Sequence, residues 1–111
     1  MDTIEWNDFE KVQLVVGTIV DVEDFPEANK PAFKLKVDLG PVIGIKNSSA
    51  QITKIYSKEA LMGKQVFCVV NFKPKKIGPF ISEILTTGLV HGEEVILAIP
   101  DRKVPNGSKL A

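Results

Sequence analysis

Apolar and polar residues alternate along several short segments of this chain, and a period of two residues predicts β-strands. The clearest segment is residues 33–39, where every odd position is apolar: Phe33, Leu35, Val37 and Leu39. The dipeptide Gly40-Pro41 then predicts a tight turn, and a further strand is predicted from Val42 to about Asn47. The short connection makes these two strands an antiparallel hairpin.

A longer strand is predicted before this hairpin, over residues 12–23, because its even positions are apolar while Gln13, Asp21 and Glu23 lie at odd positions. Gly17 interrupts the pattern, and a glycine inside a long strand is expected to mark a bulge or a sharp bend. A small barrel needs such a bend in its first strand.

The remaining segments predict short elements of both kinds. One helical turn should follow Asn7 as its N-cap, and a second short helix should span residues 57–63, between a serine cap and a glycine. The other predicted elements are a loop at 25–31, strands at 65–72, within 80–89 and at 95–99, turns at 73–76 and 91–93, and an irregular tail.

Three strands, a short helix and two or three further strands form the element order of an OB-fold. The predicted fold class is therefore all-β with a short helix: a five-stranded Greek-key barrel with terminal extensions, built by residues 1–111 as a single domain. A β-sandwich is the alternative, although it usually needs about seven strands and no internal helix.

Composition supports a globular binding protein rather than an enzyme. The chain is 44% hydrophobic and 25% charged, which is ordinary for a folded domain. His91 is the only histidine and Cys68 the only cysteine, so neither a metal site nor a paired catalytic base is predicted. No cofactor motif is present. No signal peptide or membrane-spanning stretch is found, so no membrane insertion is predicted.

The formal net charge is zero, but the charges are distributed unevenly along the chain. Residues 1–30 contain eight acids and two bases, a balance of −6, whereas residues 31–111 contain six acids and twelve bases, a balance of +6. A fold that separates the two segments would have an acidic side and a basic side, and the basic side could meet a polyanion. Ordinary solvated surface is the alternative interpretation.

Three separated segments carry a family resemblance: Gly44–Tyr56, Val69–Leu85 and Val104–Lys109. Their order and content resemble the tRNA-binding domain family, which includes a free-standing tRNA-binding protein and C-terminal appendages of methionyl-tRNA synthetases. Within it, the runs 48–53, 69–72 and 82–85 point to the secretion-chaperone branch. The resemblance covers about residues 7–110.

The resemblance implies a cytoplasmic homodimer of OB-folds that binds unfolded or exported polypeptides in an apolar pocket at each side of the dimer. The residues expected to rim this pocket and bind peptide are Ser48, Ser49, Gln51, Asn71 and Phe72. A structural role is the alternative for each of them, since serine and asparagine often cap loops or fill buried polar positions. Trp6 and Phe9 are expected to pack in the core or at the dimer interface.

The resemblance also implies an affinity for tRNA. The turn Lys73-Pro74-Lys75-Lys76 is similar to the Lys-Pro-Arg-Lys turn of tRNA-binding members, and Ser82 is shared with their Ser-Gln-Gly-Met strand. Glu83 replaces the glutamine, and a carboxylate there would repel phosphates. The residues expected to contact RNA are Lys34, Lys36, Lys46, Lys73, Lys75, Lys76 and Ser82, six of them lysines on a shared surface.

Three functions remain open from the sequence. A peptide-binding chaperone ranks first and a tRNA-binding accessory module second. The third is an assembly protein that acts only by forming its dimer. Stacking aromatics would favour single-stranded nucleic acid, and Phe25 and Phe80 are the candidates for that role.

Overall fold

The computed structural model describes residues 1–111, and five of its strands form an antiparallel sheet in the order β3-β2-β1-β4-β7. The elements in chain order are α1 (Trp6–Glu10), β1 (Leu14–Asp24), β2 (Phe33–Asp38), α2 (Gly40–Ile43), β3 (Ile45–Ala50), α3 (Lys58–Leu61), β4 (Gln65–Val69), β5 (Lys75–Ile77), β6 (Phe80–Ser82), β7 (Leu85–Thr86), β8 (Gly88–His91) and β9 (Glu94–Leu97). None of the helices has the length and apolarity needed to cross a membrane.

The two edges of this sheet, β3 and β7, approach each other and nearly close a barrel. The amide of Glu83 donates to the carbonyl oxygen of Asn47 at 2.8 Å, and the amide of Ser49 donates to Oγ of Ser82 at 3.1 Å. The short helix α3 lies between β3 and β4, and its Ser57 cap accepts a hydrogen bond from the amide of Ala60. The fold is therefore OB-like, as predicted, and not a β-sandwich.

The core fills the interior of this barrel with side chains from the sheet and α3. Its most completely buried members are Ile19, Leu35, Val37, Leu39, Leu61, Val66 and Cys68. The alternation predicted for residues 33–39 is confirmed, because all four odd positions are buried. No buried side-chain nitrogen or oxygen lacks a hydrogen-bond partner.

The apolar even positions of β1 are not the ones that enter the core around its centre. Val15 and Ile19, at odd positions, enter the core, whereas Val20 is 39% exposed. Val16 is also buried, because the C-terminal segment runs along β1 and its Ser108 carbonyl accepts a hydrogen bond from the Val16 amide. Both faces of this half-strand are covered, so apolar alternation could not identify the inner one.

The irregularity in β1 also lies elsewhere than predicted. The register with β2 shifts between Ile19 and Asp21. Gly17 instead permits close packing, since an added Cβ would lie 2.5 Å from Cγ1 of Val37 and 2.9 Å from the carbonyl oxygen of Asp38. A glycine is needed at position 17 because a larger residue would clash with its neighbours.

Three predicted boundaries change in the structure. Gly40–Ile43 form the helical turn α2 instead of a two-residue turn, so β3 begins at Ile45 rather than at Val42 and continues to Ala50. The strand predicted over 65–72 ends at Val69. The residues predicted as a turn at 73–76 partly form β5, which pairs with β6 in a separate hairpin.

A lysine-rimmed groove as the candidate binding site

A cavity of about 500 Å³ opens beside the barrel seam, between the end of β3 and the segment from β4 to β7. Its apolar wall is formed by Phe72, Ile77, Ile84 and Leu85. Its polar rim is formed by Ser49, Gln51, Lys73, Lys75, Ser82 and Glu83. The cavity thus combines residues predicted to bind peptide with residues predicted to contact RNA.

The local chain path explains why Phe72 is available to a ligand. Because β4 ends at Val69, Phe72 lies beyond the sheet, and its side chain is 56% exposed. Pro74 follows closely and cannot donate a ladder hydrogen bond, which favours the early end of the strand. In the β5–β6 hairpin, Lys75 lies opposite Ser82, so both side chains are on the face that lines the cavity.

A second cavity, of about 560 Å³, adjoins the first. The two share four lining residues: Ser49, Gln51, Lys75 and Ile77. The second is also lined by Glu27, Asn29, Lys30 and Lys76. We call the two cavities together the groove, since these four residues line both of them.

The lysines of the turn are electrostatically uncompensated. Lys73, Lys75 and Lys76 are exposed and form no ion pair within the chain. Glu83, the acid that lines the first cavity, is already engaged: its Oε1 accepts a hydrogen bond from the Asn47 amide at 3.0 Å, and its Oε2 lies 3.8 Å from Nζ of Lys46. The groove therefore offers free positive charge next to apolar surface.

Two of the residues predicted at the peptide site lie outside the groove. Ser48 is fully buried, and its Oγ accepts a hydrogen bond from Oγ1 of Thr86 at 2.9 Å. Asn71 faces the N-terminal segment, where its Oδ1 accepts from the Gln13 amide at 3.0 Å and its Nδ2 donates to the Lys11 carbonyl at 2.7 Å. The side chains of Ser48 and Asn71 thus form hydrogen bonds between separate segments of the fold. Ser49, Gln51 and Phe72 line the groove.

The lysines predicted on β2 and β3 do not all lie on one face of the sheet. Lys46 is paired with Val37 and Lys36 with Asn47, so Lys46 and Lys36 point to opposite faces of the hairpin. On the outer face, Lys34 lies opposite Glu23 with an Nζ–Oε2 distance of 3.6 Å.

Lys36 lies opposite Asp21 and donates to Oδ1 of Asn47 at 3.2 Å. The acids of the first thirty residues thus face lysines of the next segment. The two segments are therefore not separated here into an acidic side and a basic side.

Phe25 and Phe80, the aromatics considered for stacking on nucleic-acid bases, pack against each other instead. Phe25 is only 4% exposed and packs against Phe80, with ring centroids 5.3 Å apart, while Nζ of Lys34 lies over both rings. Phe72 is the aromatic exposed beside the free lysines. Its position after the end of an apolar strand and before a proline is the sequence signal for this exposure.

Cys68, the only cysteine, lies in the core and lines neither cavity of the groove. Burial raises the pKa of the Cys68 thiol to about 12, partly opposed by a hydrogen bond with Thr86, so the thiol stays protonated and unreactive at neutral pH. No group of three or more histidine, cysteine or carboxylate side chains is positioned to hold a metal ion.

A separate apolar surface lies where the two chain ends meet. Trp6 and Phe9 pack against each other with ring centroids 5.3 Å apart, yet Trp6 remains 67% exposed. A depression of about 260 Å³ there is lined by Trp6, Phe9, Glu10, Val12, Lys109, Leu110 and Ala111. Trp6 and Phe9 are thus outside the barrel core.

Residues 14–109 match the protein family described as "Putative tRNA binding domain". The chain belongs to this tRNA-binding domain family. It is 36% identical over 110 residues to the methionine–tRNA ligase of Thermococcus onnurineus, which covers 99% of this chain and 15% of the ligase. The chain thus spans about one seventh of the length of the curated relatives it matches.

Two solved structures are similar over almost the whole chain. The chaperone CsaA of Bacillus anthracis has a TM-score of 0.93 and 42% identity, covering 99% of this chain and 100% of that one. The CsaA chaperone of Picrophilus torridus has a TM-score of 0.93 and 51% identity, covering 98% and 100%. The resemblance to the secretion-chaperone branch of the tRNA-binding domain family is therefore confirmed. These matches are to a binding domain and a chaperone, not to catalytic domains.

Proposed function

We propose that this protein is a CsaA-like cytoplasmic chaperone that binds unfolded or exported polypeptides in the groove. The observation that carries the proposal is an exposed phenylalanine, Phe72, at the wall of a 500 Å³ cavity in a chain that matches CsaA along its full length. A concave apolar site with a few polar groups at its rim is the usual form of a binding pocket. Apolar clients would bury surface against Phe72 and Leu85.

The test is binding of a permanently unfolded, fluorescently labelled polypeptide, followed by anisotropy at low and physiological salt. We expect binding that persists in salt, because apolar contact is not screened. Phe72→Ala should weaken it about tenfold. Ile81→Ala is the matched control, since Ile81 is 51% exposed but lines neither cavity of the groove. Equal loss in both variants, or no binding by the wild type, would overturn the proposal.

The proposal includes a homodimer formed through the apolar surface at the chain ends. An exposed apolar group of this kind on a small domain commonly marks an interface, and Trp6 and Phe9 are its aromatic members. Sedimentation equilibrium should give twice the monomer mass. Trp6→Ala should shift the protein towards monomer, whereas Val42→Ala, at a position that is 95% exposed and does not line the depression at the chain ends, should not. A monomeric wild type would contradict the dimer.

A second candidate function is tRNA binding, favoured by the family match and by the free ammonium groups of Lys73, Lys75 and Lys76. Three phosphate contacts would give weak, salt-sensitive binding. Labelled bulk tRNA should then bind only at low salt, and a variant with Lys75→Ala and Lys76→Ala should lose most of that binding. Tight binding that survives physiological salt and depends on these lysines would make tRNA the principal ligand instead.

A further inference from the structure

Positive charge exceeds negative charge along the groove, and this excess affects which ligands it can bind. Four lysines line it, Lys30, Lys73, Lys75 and Lys76, and none of them forms an ion pair. Two acids also line it, but Glu83 is held by the Asn47 amide and Lys46. Glu27 is therefore the one unpaired acid of the groove, whereas four of its lysines are unpaired.

Unused hydrogen-bonding groups lie between the two cavities. The Ser49 hydroxyl and the Gln51 side-chain amide make no hydrogen bond within the chain, although both residues line both cavities. A hydroxyl and an amide offer donors and acceptors together, which suits the alternating N–H and C=O groups of an extended backbone.

The apolar wall is next to the lysines in space as well as in sequence. Phe72 precedes Lys73, and Ile77 follows the pair Lys75 and Lys76, with both apolar side chains lining the first cavity. A ligand that places an apolar side chain in this cavity therefore brings its neighbouring groups within reach of the ammonium groups. Neighbouring carboxylates would be attracted to the ammonium groups, whereas neighbouring cations would be repelled by them.

Nucleic acid fits this arrangement less well than polypeptide. A single strand bound to an OB-fold normally follows the strand face with its phosphates on basic residues. Here the lysines of that face, Lys34 and Lys36, are opposed by Glu23 and Asp21. The unpaired lysines of the groove lie around an apolar cavity instead of following an extended path.

We propose that the groove selects extended polypeptide segments in which an apolar side chain is flanked by carboxylates. This inference rests on the proposed function and adds the chemical class of the client. The apolar side chain enters the cavity against Phe72 and Leu85, which are both exposed there, and the flanking carboxylates pair with Lys73 and Lys75. An exposed ion pair strengthens binding by about two- to fivefold, so two pairs should separate acidic from neutral peptides by about tenfold.

The experiment uses three labelled twelve-residue peptides with one central Leu-Phe pair flanked by four glutamates, four glutamines or four lysines. Anisotropy titrations with the full chain at low and physiological salt should give affinities in the order acidic, neutral, basic. The variant Lys73→Gln/Lys75→Gln should remove the preference for the acidic peptide over the neutral one. Lys103→Gln, at an exposed lysine outside the groove, is the matched control and should keep the preference.

The outcomes separate the inference from the proposed function. Equal binding of all three peptides, or a preference that survives Lys73→Gln/Lys75→Gln, would overturn the charge selection while leaving a peptide-binding chaperone. Failure of all three peptides, with a labelled oligouridine bound in a Lys75-dependent way, would overturn both and assign the groove to RNA. Binding of the acidic peptide that Phe72→Ala does not weaken would show lysine contacts without the cavity and would also overturn the inference.

Discussion

The hydroxyl of Thr86 donates a hydrogen bond to the hydroxyl of Ser48 across the seam between β7 and β3, with an Oγ1–Oγ distance of 2.9 Å. Ser48 is fully buried, so this contact lies inside the barrel wall. The two strands at the seam do not form a continuous ladder, because β7 is only two residues long. The hydroxyl pair thus helps close the barrel immediately beside the groove.

Removing either hydroxyl should lower the free energy of unfolding without changing the groove. Ser48→Ala and Thr86→Val should each cost about 1–2 kcal/mol, because a buried polar group loses its partner. Urea unfolding of both variants and of the double variant measures the coupling, expected near 0.5–1 kcal/mol. Peptide affinity should be unchanged. Additive losses, or a loss of peptide binding by folded Ser48→Ala, would contradict this role.

Gly17→Ala should destabilise the barrel by about 1–3 kcal/mol, as for overpacking of a dense core. The added methyl group would meet Cγ1 of Val37 at 2.5 Å, Cδ2 of Leu39 at 2.7 Å and the Asp38 carbonyl oxygen at 2.9 Å. Thermal unfolding checks this prediction. The second-site change Val37→Ala should relieve part of the clash in the Gly17→Ala background, and an unchanged melting temperature in Gly17→Ala alone would be inconsistent with it.

Asn71→Ala should loosen the N-terminal segment and spare the groove. The side chain of Asn71 holds the Gln13 amide and the Lys11 carbonyl oxygen. Without it, hydrogen exchange at the Gln13 amide should become faster, since that amide loses its acceptor. Asn71→Asp keeps the acceptor and should retain most of the protection. A variant that instead lost peptide binding with unchanged exchange would place Asn71 at the ligand.

The pH dependence of stability should carry a contribution from Cys68 at alkaline pH. Its pKa is about 12 in the folded chain and about 9 when unfolded, so the unfolded state releases its proton first. The stabilisation from the neutral thiol is complete below pH 9 and is lost as the pH rises from 9 towards 12, by up to about 1.4 kcal/mol per pH unit. Urea unfolding at pH 8 and 10 should show a larger decrease for the wild type than for Cys68→Val. Parallel decreases would refute the contribution.

Glu83→Gln should raise affinity for tRNA at low salt while preserving the fold. A glutamine oxygen can still accept from the Asn47 amide, so unfolding should change by less than about 1 kcal/mol. The substitution removes a negative charge and frees Lys46 from its ion pair. Anisotropy with bulk tRNA should show several-fold tighter binding that disappears as salt rises. Unchanged tRNA affinity would mean that RNA does not approach this side of the groove.

The sequence by itself determined the fold class, because local patterns carry it. The strict alternation of residues 33–39, the serine-capped helix after Ser57 and the glycine turn at Gly92 each depend on neighbours along the chain, and each is found in the structure. The family motifs likewise lie in contiguous runs. The free lysines Lys73, Lys75 and Lys76 could be recognised as a cluster for the same reason.

The tertiary structure decided which side chains are free to bind. Ser48 and Ser49 are adjacent, yet one is buried in the seam with Thr86 and the other lines the groove. Lys34 is neutralised by Glu23, which is eleven residues away, whereas Lys75 has no acid beside it. Exposure and charge compensation are set by strand register and by contacts between distant residues. Local periodicity contains no information about those distances, so the groove could be located only in the folded chain.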